Sequence, residues 1–316
     1  MLRFKKDRRT LAFVGAYYAL IALGFSVHLT AWGTALLSVT LCFVSFFCAV
    51  ITHNTVHSPI FHSRVMNRFF QIVLTPSYGH PVNMFVPGHN LSHHKYLQEP
   101  KDRMRTDKMR FRWNLLNQIF FAWVVGGPIT RDNFEYAAIM RTRKPAWFRQ
   151  LLLELGAWIL FLAITFAIDW KRFIFFVLIP HQYAAWGIMG VNFIQHEGCD
   201  GDHPYNHSRN FVGGLTNWFT FNNGYHGIHH MHPALHWSQV PEVHARELHG
   251  KVDPRLEQPS MLAYCFRAYI WPGKRMRYDG TPVVLGPLLP DEPWVPDAIG
   301  ARAERLALVE DLGAAA

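Results

Sequence analysis

From Thr10 to Ser63 the chain has no Asp, Glu, Lys or Arg, a run of 54 uncharged residues. A helix needs about 20 apolar residues to cross roughly 30 Å of hydrocarbon. The run therefore holds two crossings, at about 11–30 and 34–52, joined by a tight turn near Trp32-Gly33-Thr34. A second apolar pair follows at about 150–168 and 173–195, split by Asp169-Trp170-Lys171-Arg172. Only 17% of residues are charged and 50% are hydrophobic, where a soluble domain carries about 25% charged residues. That balance excludes a disordered chain and an ordinary water-soluble enzyme. The expected fold is all-α and integral to a membrane, with about four transmembrane helices.

The net charge of +9 does not point to nucleic acid. Basic residues beside spans face anionic headgroups and set topology, and no nucleic-acid recognition motif accompanies them. Arg3, Lys5, Lys6, Arg8 and Arg9 form a positive flank before an apolar run too long for a signal peptide. Thirteen Lys and Arg lie between Arg64 and Lys144, so the positive-inside rule makes residues 53–146 cytoplasmic. Within them Phe69–Val73 and Ile119–Val125 are too short to cross and read as interfacial helices. The expectation is a single domain over 1–316 in a bacterial inner membrane, with both termini cytoplasmic. Residues 53–146 and 196–271 would form a cytoplasmic helical cap. An extended tail at 272–316 is marked by Pro272, Pro282, Pro287, Pro290, Pro293 and Pro296, with a loose helix at 301–316. Cys42, Cys48, Cys199 and Cys265 form no CxxC pair, which leaves neither a disulfide framework nor a cysteine zinc site.

Nineteen histidines gather in four clusters: His53-Asn-Thr-Val-His57, His89-Asn-Leu-Ser-His93-His94, Asn192-Phe-Ile-Gln-His196 and His226-Gly-Ile-His229-His230. Side chains three or four residues apart share a helix face, so each cluster can aim two imidazoles at one point. The adjacent member of an HH pair points about 100° away, which suits a second ion nearby. Imidazole without thiolate or carboxylate fits zinc, copper, nickel or iron. So many ring nitrogens exceed the needs of one ion, and two metals is the natural count. Each cluster follows the end of a span or lies in the cap, so all four meet one face of the membrane. A transporter or bis-histidine haem protein would instead place histidines inside paired spans.

This pattern resembles the membrane fatty acid desaturase superfamily, which includes acyl desaturases and alkane hydroxylases; the likeness runs from about residue 30 to 245. It implies a four-span architecture with a cytoplasmic, histidine-rich dinuclear iron site. Carried over by position, the ligands would be His53, His57, His89, His93, His94, His226, His229 and His230, with His196 as an additional ligand at the end of the fourth span. Asn192 would hold an iron through water. The stretch Asn192-Phe-Ile-Gln195-His196-Glu-Gly198 is similar to an alkane hydroxylase box, although those enzymes have two more spans. His230-Met-His-Pro233, with Trp237 and Pro241, looks more like the acyl-lipid desaturases. No Glu-x-x-His motif occurs, which excludes the soluble four-helix di-iron class.

The resemblance implies O₂-dependent desaturation of a long-chain fatty acyl substrate. The alternative is hydroxylation or another oxidative change to an alkyl, acyl or terpenoid chain; metal transport or haem binding is a third class. No haem-binding His-Pro-Gly-Gly and no flavin fingerprint is present, so electrons would come from a separate ferredoxin or rubredoxin with its reductase. Residues 95–112 hold seven basic and three acidic side chains, a candidate dock for an acidic donor or for headgroups. Glu197, Asp200, Asp202 and Asp102 are candidate acceptors for the second nitrogens of ligand imidazoles. His62, His80, His203, His207, His232 and His236 read as supporting or solvated, and His28 and His181 as hydrogen-bonded within the spans. Phe120, Phe121, Trp123, Trp218 and Phe219 would line a substrate tunnel or anchor at the interface.

Overall fold

The computed structural model describes residues 1–299; the helix expected at 301–316 lies outside the described residues. In chain order the helices are α1 (Arg8–Ser26), α2 (Ala31–His57), α3 (Arg64–Tyr78), α4 (Val82–Val86), α5 (His94–Tyr96), α6 (Asn114–Arg143) and α7 (Pro145–Ile168). They continue with α8 (Trp170–Phe173), α9 (Ile179–His196), α10 (Gly214–Phe219), α11 (His226–Met231), α12 (Val240–Glu247), α13 (Met261–Cys265) and α14 (Val295–Ala298). Wider π-helical turns run over Pro87–His93, Ile174–Leu178 and Phe266–Ile270. One parallel pair of two-residue strands, β1 (Asn210–Phe211) and β2 (Glu257–Gln258), sets Asn210 opposite Glu257.

Among the described residues four helices are long and apolar enough to cross a membrane: Lys5–Ser26, Ala31–His57, Pro145–Ile168 and Trp170–His196. The protein is therefore all-α and integral to a membrane. Along α7, Leu152, Leu153, Ile159, Leu160, Ile164 and Phe166 stand exposed. A water-soluble surface rarely shows such a continuous apolar face; here hydrocarbon is the solvent.

The span boundaries differ from expectation for local reasons. The turn between the first two spans falls before Trp32, because the Thr30 side chain accepts from the Gly33 amide at 3.1 Å and caps α2 there. His28 consequently lies exposed in that connection. At its other end α2 runs on through His57 and stops at Ser58, just before Pro59. The first histidine pair thus occupies the last turns of a span helix rather than a loop beyond it. At 27 residues and about 1.5 Å per residue, α2 is longer than the hydrocarbon is thick, so its end can stand clear of the lipid. The fourth crossing begins earlier than expected, where Asp169 accepts from the Lys171 and Arg172 amides at 3.0 and 3.1 Å. Pro180 has no N–H for the preceding turn, and the π-turn at Ile174–Leu178 lies just before it.

The chain divides into two compact units. The first takes Met1–Pro87 and Asn133–Ile188. In it Tyr17 Oη lies 3.0 Å from His181 Nε2, which also meets the Pro76 carbonyl at 2.8 Å; His181 is buried and hydrogen-bonded, as expected. Gly79 ends α3 at φ 88°, and a Cβ there would collide with the His181 ring. Glu154, fully buried, accepts from the Asn83 amide at 2.8 Å and from Gln150 at 3.1 Å.

The second unit takes Gly88–Asp132 and residues 189–299. Met104, Met109, Phe121, Val125, Phe193, Ile194, Phe211 and Tyr269 form its main apolar core. The patch expected to be a short interfacial helix is therefore part of the 30-residue α6. Phe121 and Val125 are buried there while Phe120 and Trp123 face outward. The proline-rich tail is laid across this unit. Trp294 is fully buried, and its indole N–H donates to Asp132 at 2.8 Å.

Candidate metal centre

Two ladders of imidazoles occupy the second unit. His93, His196, His226 and His230 bring one ring nitrogen each to within 4.8 Å of one another. His226 Nε2 lies 2.9 Å from His196 Nε2 and 3.1 Å from His230 Nε2. A second group in the same unit joins His89, His94 and His229, with His94 Nε2 3.1 Å from His89 Nε2 and 3.0 Å from His229 Nε2. In the first unit His53 and His57 lie one turn apart on α2, both buried and edge to face, with ring centroids 5.2 Å apart.

The division of the HxxxHH box runs against α-helical expectation. On an α-helix His89 and His93 would share a face and His94 would turn away. Pro87–His93 is instead a π-helical turn, in which the hydrogen bonds join residues five apart. His89 and His94 therefore pair, with ring centroids 4.6 Å apart, and His93 joins the other group. On α11 the ordinary spacing holds: His226 and His230, four apart, belong together, and His229 is sent to the opposite group.

The outer nitrogens decide what the inner ones can do. His196 Nδ1 lies 3.1 Å from the His207 carbonyl. A carbonyl only accepts, so the proton sits on Nδ1 and Nε2 presents its lone pair inward. His93 Nδ1 donates to Asp102 at 3.0 Å with the same result. Asp102, fully buried, also accepts from the Gln98 and Met104 amides at 2.9 and 2.7 Å, so its orientation is fixed by backbone. His230 is pushed well below its ordinary pKa, by burial first and then by the imidazoles of His94, His226, His196 and His93. It is neutral at pH 7, as a ligand must be. A proton can join ring nitrogens this close only in pairs, whereas one cation can take a lone pair from each of the four. The donor set is imidazole, anchored at the outer nitrogens of His93 and His196, and fits a late first-row metal.

Asn192, one turn before His196, lies against the same group. Its Nδ2 is 3.3 Å from His93 Nε2, and its buried Oδ1 has no hydrogen-bond partner among the described residues.

Of the four carboxylates expected to support the histidines, Asp102 alone touches one of them among the described residues. Glu197 is paired with Arg275, whose guanidinium also bonds the Met109 and Thr106 carbonyls. Burial pushes the Glu197 carboxyl up, opposed by Arg275 and Arg209. Asp200 lies 4.0 Å from Arg277, and the Asp202 amide donates to Asp200. His196 is instead held by a backbone carbonyl, which no residue type could reveal. His207 contributes through that carbonyl, while its ring meets the Ser208 hydroxyl at 2.7 Å and burial lowers it to about 4. His232 pairs with Glu247 and His236 with Ser238, and His203 accepts from the Tyr205 and Asn206 amides. His80 packs on Trp158, and His62 is exposed.

The basic stretch 95–112 is largely spent inside the protein. Arg103 pairs with Asp132, Arg105 and Lys108 with Asp291, and Lys101 with Asp297. Arg103 and Arg105 are buried, so these two cations offer little to a docking partner. Phe120, Trp123, Trp218 and Phe219 are exposed, which favours anchoring over tunnel lining.

A search of curated proteins finds no match to the chain. The fatty acid desaturase family model matches residues 28–257, a stretch that contains every histidine of both groups and the pair on α2. The chain belongs to the fatty acid desaturase family and is a membrane-integral oxidoreductase of the desaturase and hydroxylase kind.

Proposed function

We propose that the chain carries two iron ions and catalyses O₂-dependent desaturation of a long-chain fatty acyl substrate. His93, His196, His226 and His230 would hold one ion. His89, His94 and His229, with His53 and His57 of α2, would hold the other, and Asn192 would reach its ion through a water. The observation that carries this reading is the inward lone pair of His93 and His196, fixed by Asp102 and the His207 carbonyl.

Bound iron would supply the redox chemistry: with O₂, two electrons and two protons, a saturated carbon pair becomes a double bond and two waters. The chain's residues position and shield. Asp102 and the His207 carbonyl hold imidazole tautomers, and the burial of His89, His93, His196, His226 and His229 limits the access of bulk water. The electrons would come from a separate ferredoxin or rubredoxin with its reductase. The concentration of Lys and Arg between Arg64 and Lys144 supports a cytoplasmic site and cytoplasmic termini in a bacterial inner membrane, and the chain would act as one domain.

The similarity of Asn192–Gly198 to an alkane hydroxylase box favours hydroxylation as the second reading, in which the carbon gains one oxygen atom. Haem binding needs only two axial imidazoles and leaves converging sets of three and four unexplained. The test is metal analysis of purified protein, joined to lipid mass spectrometry of cells with and without the gene. Two non-haem irons per chain and products lacking two hydrogens support desaturation. Products gaining one oxygen support hydroxylation, and a Soret band overturns both.

A further inference from the structure

The first unit contains a cavity of about 80 Å³. It lies between the end of α2, the start of α3, the end of α6 and the start of α7. Arg64, Arg68 and Lys144 line it. Thr55, only 4% exposed, also lines it, and its hydroxyl has no hydrogen-bond partner among the described residues. A helical threonine normally returns its hydroxyl to a carbonyl of the preceding turn. A buried hydroxyl left unpaired destabilises the fold, so this one is placed for a partner that enters the cavity.

The wall around Thr55 is built for an anion. Arg64, Asn67, Arg68 and Gln71 share one face of α3, at the spacing of three and four residues that aligns side chains, and all four line the cavity. The opposite face carries Val65, Met66 and Phe69, exposed at 75%, 42% and 60%. An amphipathic helix of this kind lies at the membrane interface, which sets its arginines at the depth of phosphate groups. Across the cavity, Ala146 and Trp147 belong to the first turn of α7. Amides of a first turn have no carbonyl in a preceding turn, and that helix end adds positive potential. Glu154 stands behind the wall, held by Asn83 and Gln150.

We propose that this cavity binds the phosphate group of a phosphate ester, with Arg64, Arg68 and Lys144 as its cations and the Thr55 hydroxyl as its buried donor. The site is independent of the oxidative reading, and no metal is needed to test it. The ester can be a membrane phospholipid or a water-soluble molecule, and two assays separate these. In the first, full-length protein in detergent is offered phosphatidylglycerol or phosphatidylcholine and retained lipid is counted by native mass spectrometry. In the second, glycerol 3-phosphate binding is titrated by calorimetry.

Saturable binding in either assay supports the site, provided it weakens by about tenfold in Arg64→Gln/Arg68→Gln and by about threefold in Thr55→Val. Preference for phosphatidylglycerol identifies the lipid source, and glycerol 3-phosphate binding alone identifies the soluble one. Thr55→Val leaves the charge unchanged, so its effect distinguishes a shaped pocket from a merely basic surface. Lys144→Gln, at an exposed helix start, serves if the double arginine variant fails to fold. Binding absent from both assays, or equal in wild type, Thr55→Val and Lys144→Gln, overturns the proposal.

Discussion

His93 Nδ1 sits 3.0 Å from Asp102 Oδ2, and both side chains are fully buried. The carboxylate is itself pinned by two backbone amides, so the imidazole it holds cannot swing. Asp102→Asn keeps the shape and removes the charge-assisted acceptor. Metal affinity at the His93 group should fall about tenfold, the low end for losses of an outer-shell partner. Competition with a chelator of known affinity measures it, and unchanged affinity would show that the carboxylate serves the loop alone.

The π-turn assigns neighbouring histidines to different groups. His93→Ala and His230→Ala should each release the same ion, while His94→Ala and His229→Ala release the other. Metal counting on the four purified variants, with Mössbauer spectra of the iron left behind, checks the pairing. If His93→Ala and His94→Ala gave identical spectra, the partition would be wrong.

Arg103 and Asp132 are both buried, and Asp132 also accepts from the Trp294 indole. Breaking a buried pair from one side costs about 3–5 kcal/mol, because a charge is left without its partner. Asp132→Asn should lower the thermal midpoint in detergent by several degrees and expose Trp294, read by a red shift of its fluorescence. A variant as stable as wild type would mean that the tail carries no load.

Asp291 gives that clasp a pH dependence. Burial raises its pKa, but Lys108, Arg103 and Arg105 outweigh it and leave the carboxyl below its ordinary value. A depressed folded pKa contributes stability that is complete above the unfolded value of about 3.9 and is lost as pH falls through the folded value. Protection of the tail from an acid-active protease should therefore hold at pH 5 and above and decline below about pH 3.9. Asp291→Asn should be cleaved more readily at pH 5 and lose most of the acid step.

The four spans were legible because charge depletion over a helix length is a local property of the chain. The histidines were legible because their spacing matches a helix face. What spacing could not show is which face, since an α-turn and a π-turn read alike until the backbone is seen at His89–His94. The acceptor for His196 is a carbonyl, and every residue has one. Asp291 and Trp294 find their partners far away in sequence, so the basic stretch at 95–112 read as exposed when Arg103 and Arg105 are in fact enclosed.

Gly198 sits at φ 68°, where a Cβ would strike the Met276 carbonyl, and the Tyr278 amide bonds the Gly198 carbonyl at 2.9 Å. Gly198→Ala should lift the tail from the turn after His196 and cost about 1–2 kcal/mol from backbone strain alone. Denaturant unfolding measures the cost, and hydrogen exchange at Tyr278 reports the lifting.

The clasp also imposes an order on biosynthesis. The loop that carries His93 and Asp102 is translated well before Asp291 and Trp294. Until these follow, Arg103 and Arg105 lack the Asp291 carboxylate that helps enclose them. A chain truncated before residue 291 would keep its four apolar helices and its imidazoles but leave Arg103 and Arg105 without the Asp291 carboxylate.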